Sequence, residues 1–197
     1  MAERRAEITR KTKETDISLS LTLDGSGQYD VSTGIGMLDH MLEQVARHGR
    51  FDLRVQASGD LDRDTHHLAE DVGIVLGQAL DKALGDRRGI TRFGDSIVPL
   101  DEALALVALD LSGRAHAEID GAFDRDLVGE LPTENLWHLL ESFAREARMT
   151  LHVRLLSGGN DHHRAEAVFK ALARALRVAV SFDEGAAGEI PSTKEVL

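Results

Sequence analysis

Two stretches of the chain read nearly alike, 96 residues apart. Residues 64–80 are DTHHLAEDVGIVLGQAL and residues 160–176 are NDHHRAEAVFKALARAL. Aligned on their histidine pairs, Ala69 meets Ala165, Glu70 meets Glu166, Val72 meets Val168 and Leu76 meets Leu172. The likeness extends upstream. His40 opens HMLEQVARHG and His138 opens HLLESFAREA, and each is followed 13 residues later by the leucine of a strand-like stretch, Leu53 and Leu151. An internal repeat constrains a fold more than any single residue does, because each copy must be a unit that buries its apolar face against its neighbour.

Hydrophobic periodicity gives the content of each copy. Alternation and β-branched residues predict strands at 4–10, 17–23 and 51–58. Helical spacing predicts helices at 36–47 and 65–84, the second carrying Leu68, Val72, Val75, Leu76 and Leu80 on one side. The segment DGSGQ at 24–28 reads as a hairpin turn. After GDRRG at 85–89 the order resumes, with strands near 95–98, 103–111 and 114–120, a helix over 134–147, a strand over 149–156 and a helix over 161–180. The expectation is an α+β fold of two ββαβα halves, residues 1–88 and 89–197, forming one catalytic unit in which two sheets enclose a helical layer.

Composition excludes several roles. Acidic residues outnumber basic ones 34 to 23, for a formal net charge of −11, and no Lys/Arg run is present, so a nucleic-acid partner is not expected, although a local basic pocket for a small anion remains open. There is no cysteine, hence no disulfide, thiolate metal ligand or cysteine nucleophile. The N-terminal MAERRAEITRKTKET has no apolar core of a secretory signal. No run approaches the ~18 apolar residues of a membrane span. A cytoplasmic chain without a nucleic-acid or membrane partner is expected.

The repeated His-His-x-x-Glu motif carries the chemistry. Glu70 lies one helical turn beyond His66 and His67, as Glu166 does beyond His162 and His163. Adjacent histidines on a helix point about 100° apart, so each pair suits two different ions better than one. With His40 and His138, the set offers six imidazoles and two carboxylates. Divided evenly, two ions would each receive three histidines and one glutamate. Imidazole plus carboxylate without thiolate suits manganese, iron, cobalt or zinc. A binuclear hydrolase that uses bound hydroxide fits this ligand set. A metal-storage shell fits it less well, since eight ligands hold about two ions.

Other candidates are weaker. His48 and His152 read equally well as partners of the site or as half-buried polar residues, and His116 as a structural strand residue. The Gly-containing stretches at 25–27 and 157–159 are turns, not phosphate loops. Arg92, Arg114 and the Ser192-Thr193-Lys194 run read singly as surface residues, yet a guanidinium, an ammonium and a hydroxyl are what a phosphate monoester needs, and the residues alone leave both readings open.

Taken together, the segments RKTKET (10–15), STGIGMLDHMLEQVARHG (32–49), DTHHLAEDVGIVLGQAL (64–80), GITRFGDSIVPLDEAL (89–104), DLSGR (110–114), GGNDHHRAEAVFKALARAL (158–176) and PSTK (191–194) resemble the imidazoleglycerol-phosphate dehydratase family. The resemblance covers nearly the whole chain, and the paired motifs are highly specific. It implies a duplicated fold like domain 2 of ribosomal protein S5. It implies two Mn2+ ions per site and trimers assembled into a 24-subunit shell with sites between subunits. It implies that His40, His66, His67, Glu70, His138, His162, His163 and Glu166 ligate metal. Arg92, Arg114, Ser192 and Lys194 would hold the substrate phosphate, Glu14 would contact the reacting carbons, and His48 and Lys170 fall in substrate-contacting blocks. The reaction implied is loss of water from D-erythro-imidazole glycerol phosphate to give imidazole acetol phosphate, by way of a dimetal-bound imidazolate and a diazafulvene-like intermediate, with Glu14 as acid/base. One departure stands out: Glu195 follows Lys194 where the family usually has glycine.

Overall fold

The computed structural model describes residues 3–186 and 188–195. Strands β1 (Arg5–Lys11) and β2 (Thr15–Thr22) form an antiparallel hairpin, and β4 (Asp52–Gly59) pairs antiparallel with β2. A short strand, β3 (Tyr29–Ser32), lies parallel to β4 on its far side and reaches it through helix α1 (Gly36–Gly49). The first sheet is therefore ordered β1-β2-β4-β3, and helix α2 (His66–Leu84) follows it.

The second half repeats this plan. Strands β5 (Phe93–Leu100), β6 (Ala103–Asp110) and β7 (His116–Asp120) precede a two-stranded ribbon of β8 (Leu127–Val128) and β9 (Leu131–Pro132). Helix α3 (Thr133–Glu146), strand β10 (Thr150–Ser157) and helix α4 (Asp161–Val180) complete it, and the second sheet is ordered β5-β6-β10-β7. A 3-10 turn at Glu184–Ala186 leads to the C-terminal segment.

Strand alternation decides which faces are covered. Ile17, Leu19 and Leu21 of β2 are buried, while Asp16 and Ser18, which alternate with them, are exposed. The buried faces of both sheets turn toward the four helices, so two sheets enclose a helical layer in an α+β arrangement, as the periodicity predicts. The helices cross the repeat: α1 packs on α4, and α2 packs on α3. The α2–α3 approach is close enough to require glycine. A Cβ on Gly73 would lie 2.6 Å from the Leu139 carbonyl oxygen, and one on Gly77 would lie 2.6 Å from that of Phe143.

The first half contains one strand more than the ββαβα plan, β3, and the second half three more, β7 and the β8–β9 ribbon. β3 escapes the periodicity because it is short and mostly exposed, with only Val31 packing on the core. The DGSGQ segment joins no hairpin. It carries the chain from β2 past β4 to β3, and the Asp52 carboxylate holds it by accepting from the Ser26, Gly27 and Gln28 N–H groups at 2.8, 3.0 and 2.9 Å. The tight turns are instead at Thr12–Glu14 and at Asp101–Glu102, between the paired strands. No helix is long and apolar enough to cross a membrane, among the described residues.

Candidate metal centre

Both His-His-x-x-Glu motifs occupy the first turn of a helix, as their spacing predicts. The turns are fixed from outside. The Asn160 side chain accepts from the N–H groups of His162 and His163 at 2.9 and 3.4 Å, and Asp64 accepts from that of His66 at 2.8 Å. Because α1 packs on α4 and α2 on α3, histidines from one half meet motif residues of the other.

The result is two clusters. In one, the His66 and His138 rings stack with centroids 4.7 Å apart, and Glu70 Oε1 lies 3.4 Å from His138 Nε2. In the other, the His40 and His162 rings stack at 5.5 Å, and Glu166 Oε2 lies 3.8 and 3.5 Å from their Nε2 atoms. Within each trio one ligand atom per residue falls within 4.8 Å of the others. His138 Nε2 is the one buried side-chain polar atom among the described residues with no hydrogen-bond partner. Such an atom is costly unless something occupies its lone pair. A nitrogen lone pair and a carboxylate that converge with no hydrogen bond between them suit a divalent cation. The residues therefore fit the metal that their sequence spacing implies.

The outer nitrogen of His66 is also held. Its Nδ1 lies 3.3 Å from Asn135 Oδ1, and Asn135 Nδ2 donates to Thr65 Oγ1 at 3.0 Å. In the other cluster Lys170 Nζ sits 2.6 Å from Glu166 Oε1. Burial pushes the Glu166 carboxyl up, but Lys170, His40 and His162 more than reverse this and hold it below its ordinary range. His48 also faces Lys170. Burial, then Lys170 and Arg174, push its imidazole pKa down.

His67 and His163 do not join either cluster within one chain. Each ring stands nearly perpendicular to its neighbour's, at 82° and 78°. His67 Nδ1 lies 3.1 Å from Asp60 Oδ2 and 4.0 Å from Glu14 Oε2. His163 Nδ1 lies 2.9 Å from Glu102 Oε2. Hydrogen bonding to Asp60 raises the His67 pKa, and hydrogen bonding to Glu102 raises that of His163. Glu102 in turn is pulled down to about 2 by His163 and by backbone N–H groups. A single chain thus gathers two histidines and one glutamate around each point, with the third imidazole turned outward.

Arg92, Arg114, Ser192 and Lys194 come together with Phe93, Pro191 and Thr193 around an open cleft of about 410 Å³. Arg92 adopts a left-handed φ of 72°. Its Nε and one terminal nitrogen donate to Asp110 at 2.7 and 3.0 Å, and the other donates to the Pro191 carbonyl at 2.6 Å. The guanidinium is fixed by this fork before any anion arrives. Glu195, which closes the tail turn, has a φ of 57°.

Glu14 lies at the exposed tip of the β1–β2 hairpin beside His67. His152 lies on the outward face of β10, with its ring 6.1 Å from that of His116, away from both clusters. Sequence reasoning missed Asp60, Glu102, Asn135 and Asp110. The first two sit in acidic stretches, GDLDRD and PLDEAL, that read as solvated loops. Asn135 carried no motif at all.

Residues 33–176 match the family model for imidazoleglycerol-phosphate dehydratase. The chain is 58% identical over 194 residues to an imidazoleglycerol-phosphate dehydratase from Roseiflexus sp. (strain RS-1), covering 98% of each chain. It is 54% identical over 197 residues to one from Dehalococcoides mccartyi, covering 100% of this chain and 99% of that one. Among solved structures, imidazoleglycerol-phosphate dehydratase from Staphylococcus aureus superposes with a TM-score of 0.83 at 34% identity, covering 91% of this chain and 99% of that one. The Pyrococcus furiosus enzyme, solved in complex with (S)-C348, gives a TM-score of 0.83 at 40% identity, covering 96% of this chain and all of that one.

Proposed function

Because the chain belongs to the imidazoleglycerol-phosphate dehydratase family, hydro-lyases of histidine biosynthesis, we propose that it dehydrates D-erythro-imidazole glycerol phosphate to imidazole acetol phosphate in the cytoplasm. The observation that carries the metal-dependent reading is the convergence of His66, Glu70 and His138 from opposite halves on the unpartnered His138 Nε2.

His66, Glu70 and His138 would hold one cation, and His40, His162 and Glu166 the other. Two divalent cations, manganese by the family resemblance, supply Lewis acidity that lowers the pKa of the substrate's imidazole when bound. The chain's own groups do the remaining work. Arg92, Arg114, Ser192 and Lys194 clamp the phosphate and hold the glycerol carbons in register. Glu14 in its acid form gives the departing hydroxyl its proton, so that water leaves the carbon attached to the ring, and the carboxylate so formed takes the proton from the adjacent carbinol carbon. The resulting enol tautomerises to the ketone, and no phosphate ester bond breaks. His48 and Lys170, on the cationic side of the His40 cluster, would line the substrate.

Two features support sites shared between copies, in trimers and a 24-subunit shell. The outward imidazoles of His67 and His163 complete three-histidine sets only if a neighbouring copy presents them. The outer face of the second sheet also exposes Phe93, Ile97 and Leu156, whereas the matching face of the first sheet carries Arg5, Glu7, Thr9 and Ser18.

Turnover by chelator-stripped protein, with and without added Mn2+, tests the reading. Manganese-dependent ketone with no inorganic phosphate released is expected. Release of phosphate would replace the dehydratase with a binuclear hydrolase.

A further inference from the structure

Outside the two clusters, the strongest unexplained contacts are the carboxylates on His67 and His163. Glu102 is anchored before it meets its histidine. Its Oε1 accepts from the Gly159 and Asn160 N–H groups at 3.2 and 2.8 Å, leaving Oε2 for His163 Nδ1 at 2.9 Å. Asp60 presents both oxygens to His67 Nδ1, at 3.3 and 3.1 Å. A carboxylate on Nδ1 keeps the proton there, fixes the ring and leaves the Nε2 lone pair free.

The two carboxylates come from different places in the repeat. Glu102 immediately precedes β6, and the residue in that place before β2 is Glu14, which stands 4.0 Å from His67 Nδ1. Asp60 immediately follows β4, and the residue in that place after β10 is Gly158. Gly158 has a φ of 146°, and a Cβ there would lie 2.8 Å from Arg164 Cγ, so the second half cannot carry an aspartate at that point. The hairpin glutamate takes its place. In the first half, Asp60 does the work and Glu14 is released from it.

We propose that Asp60 and Glu102 are positioning residues that aim His67 Nε2 and His163 Nε2 outward as metal ligands for a neighbouring copy, and that this division of labour is what frees Glu14 for substrate. The inference rests on the dimetal reading above, extended to named residues outside the ligand set. Both carboxylates act through their histidines, without touching metal or substrate.

The test is Mn2+ affinity and metal content of the chelator-stripped full chain, with the unfolding midpoint of the metal-free protein as a control. Asp60→Ala and Glu102→Ala should each weaken Mn2+ binding by about 10–100-fold. Asp60→Glu and Glu102→Asp should restore most of it, and Glu14→Gln should leave it unchanged. Wild-type affinity in both alanine variants, with affinity lost in His67→Ala and His163→Ala, would overturn the positioning role while sparing the metal ligands. Wild-type affinity in the histidine variants as well would overturn the dimetal reading and this inference together. Equal losses in the alanine and the conservative variants, matched by a lower metal-free midpoint, would reduce both carboxylates to a structural role.

Discussion

Glu70 Oε1 and His138 Nε2 lie 3.4 Å apart with no hydrogen bond between them, although the two residues belong to opposite halves of the sequence. Two electron-rich atoms held this close need a positive charge at their meeting point. His138→Ala should therefore lower Mn2+ affinity by more than the ~10–100-fold expected on losing an outer partner, with little change in the metal-free unfolding midpoint. Metal analysis after dialysis checks this, and retention of the full metal complement would remove His138 from the ligand set.

In the proposed mechanism Glu14 transfers a proton and holds no metal. Glu14→Gln should cut kcat by roughly 10²–10⁴-fold while Mn2+ content stays at the wild-type level. Near wild-type turnover in this variant would assign the proton transfer elsewhere.

The α2–α3 contact depends on two missing side chains. Gly77→Ala forces a methyl against the Phe143 carbonyl and the Ala147 N–H. Overpacking of this kind costs about 1–3 kcal/mol, so Tm should fall by several degrees. Activity at low temperature should fall as well, because α3 carries His138. An unchanged Tm would mean that the helices separate without cost.

Asp52 ties the 24–28 segment to β4. Burial pushes its carboxyl up, but hydrogen bonds from Gln28, Ser26 and Gly27 pull it further down, below the ordinary carboxylate range. A folded-state pKa below the unfolded one contributes stability that is present above about pH 4 and is lost as pH falls through the lowered value. Asp52→Ala should destabilise the protein by about 1–3 kcal/mol at pH 7, and the difference from wild type should shrink in acid. Denaturant melts at pH 7 and pH 3 measure it. A pH-independent difference would mean that the ionised carboxylate is not what the loop requires.

Glu195 holds a left-handed backbone that costs a non-glycine residue about 1–2 kcal/mol. Glu195→Gly should relax the turn beneath Ser192 and Lys194 and lower KM for the phosphate substrate, with kcat little changed. A higher KM would show that the Glu195 side chain helps to close the tail.

Much of this protein was determined by local sequence. The 3.6-residue spacing of Leu68, Val72, Leu76 and Leu80 makes α2 amphipathic, and α4 spans the residues its periodicity indicates, because these patterns act within one element. The same spacing sets His66 and His67 about 100° apart and sends them to different neighbours. Tertiary structure decided what local spacing cannot express. His138 meets Glu70, and His40 meets Glu166, only because the helices pack across the repeat, and nothing in either motif specifies that crossing. β3 exists because β4 offers an unpaired edge, not because four mostly exposed residues prefer it. Asp60 and Glu102 look like solvated loop acids until the fold brings each to an imidazole 7 and 61 residues away. Periodicity records which face of an element is buried. Which side chains share a point in space depends on contacts between elements, and those follow from the packing of the whole chain.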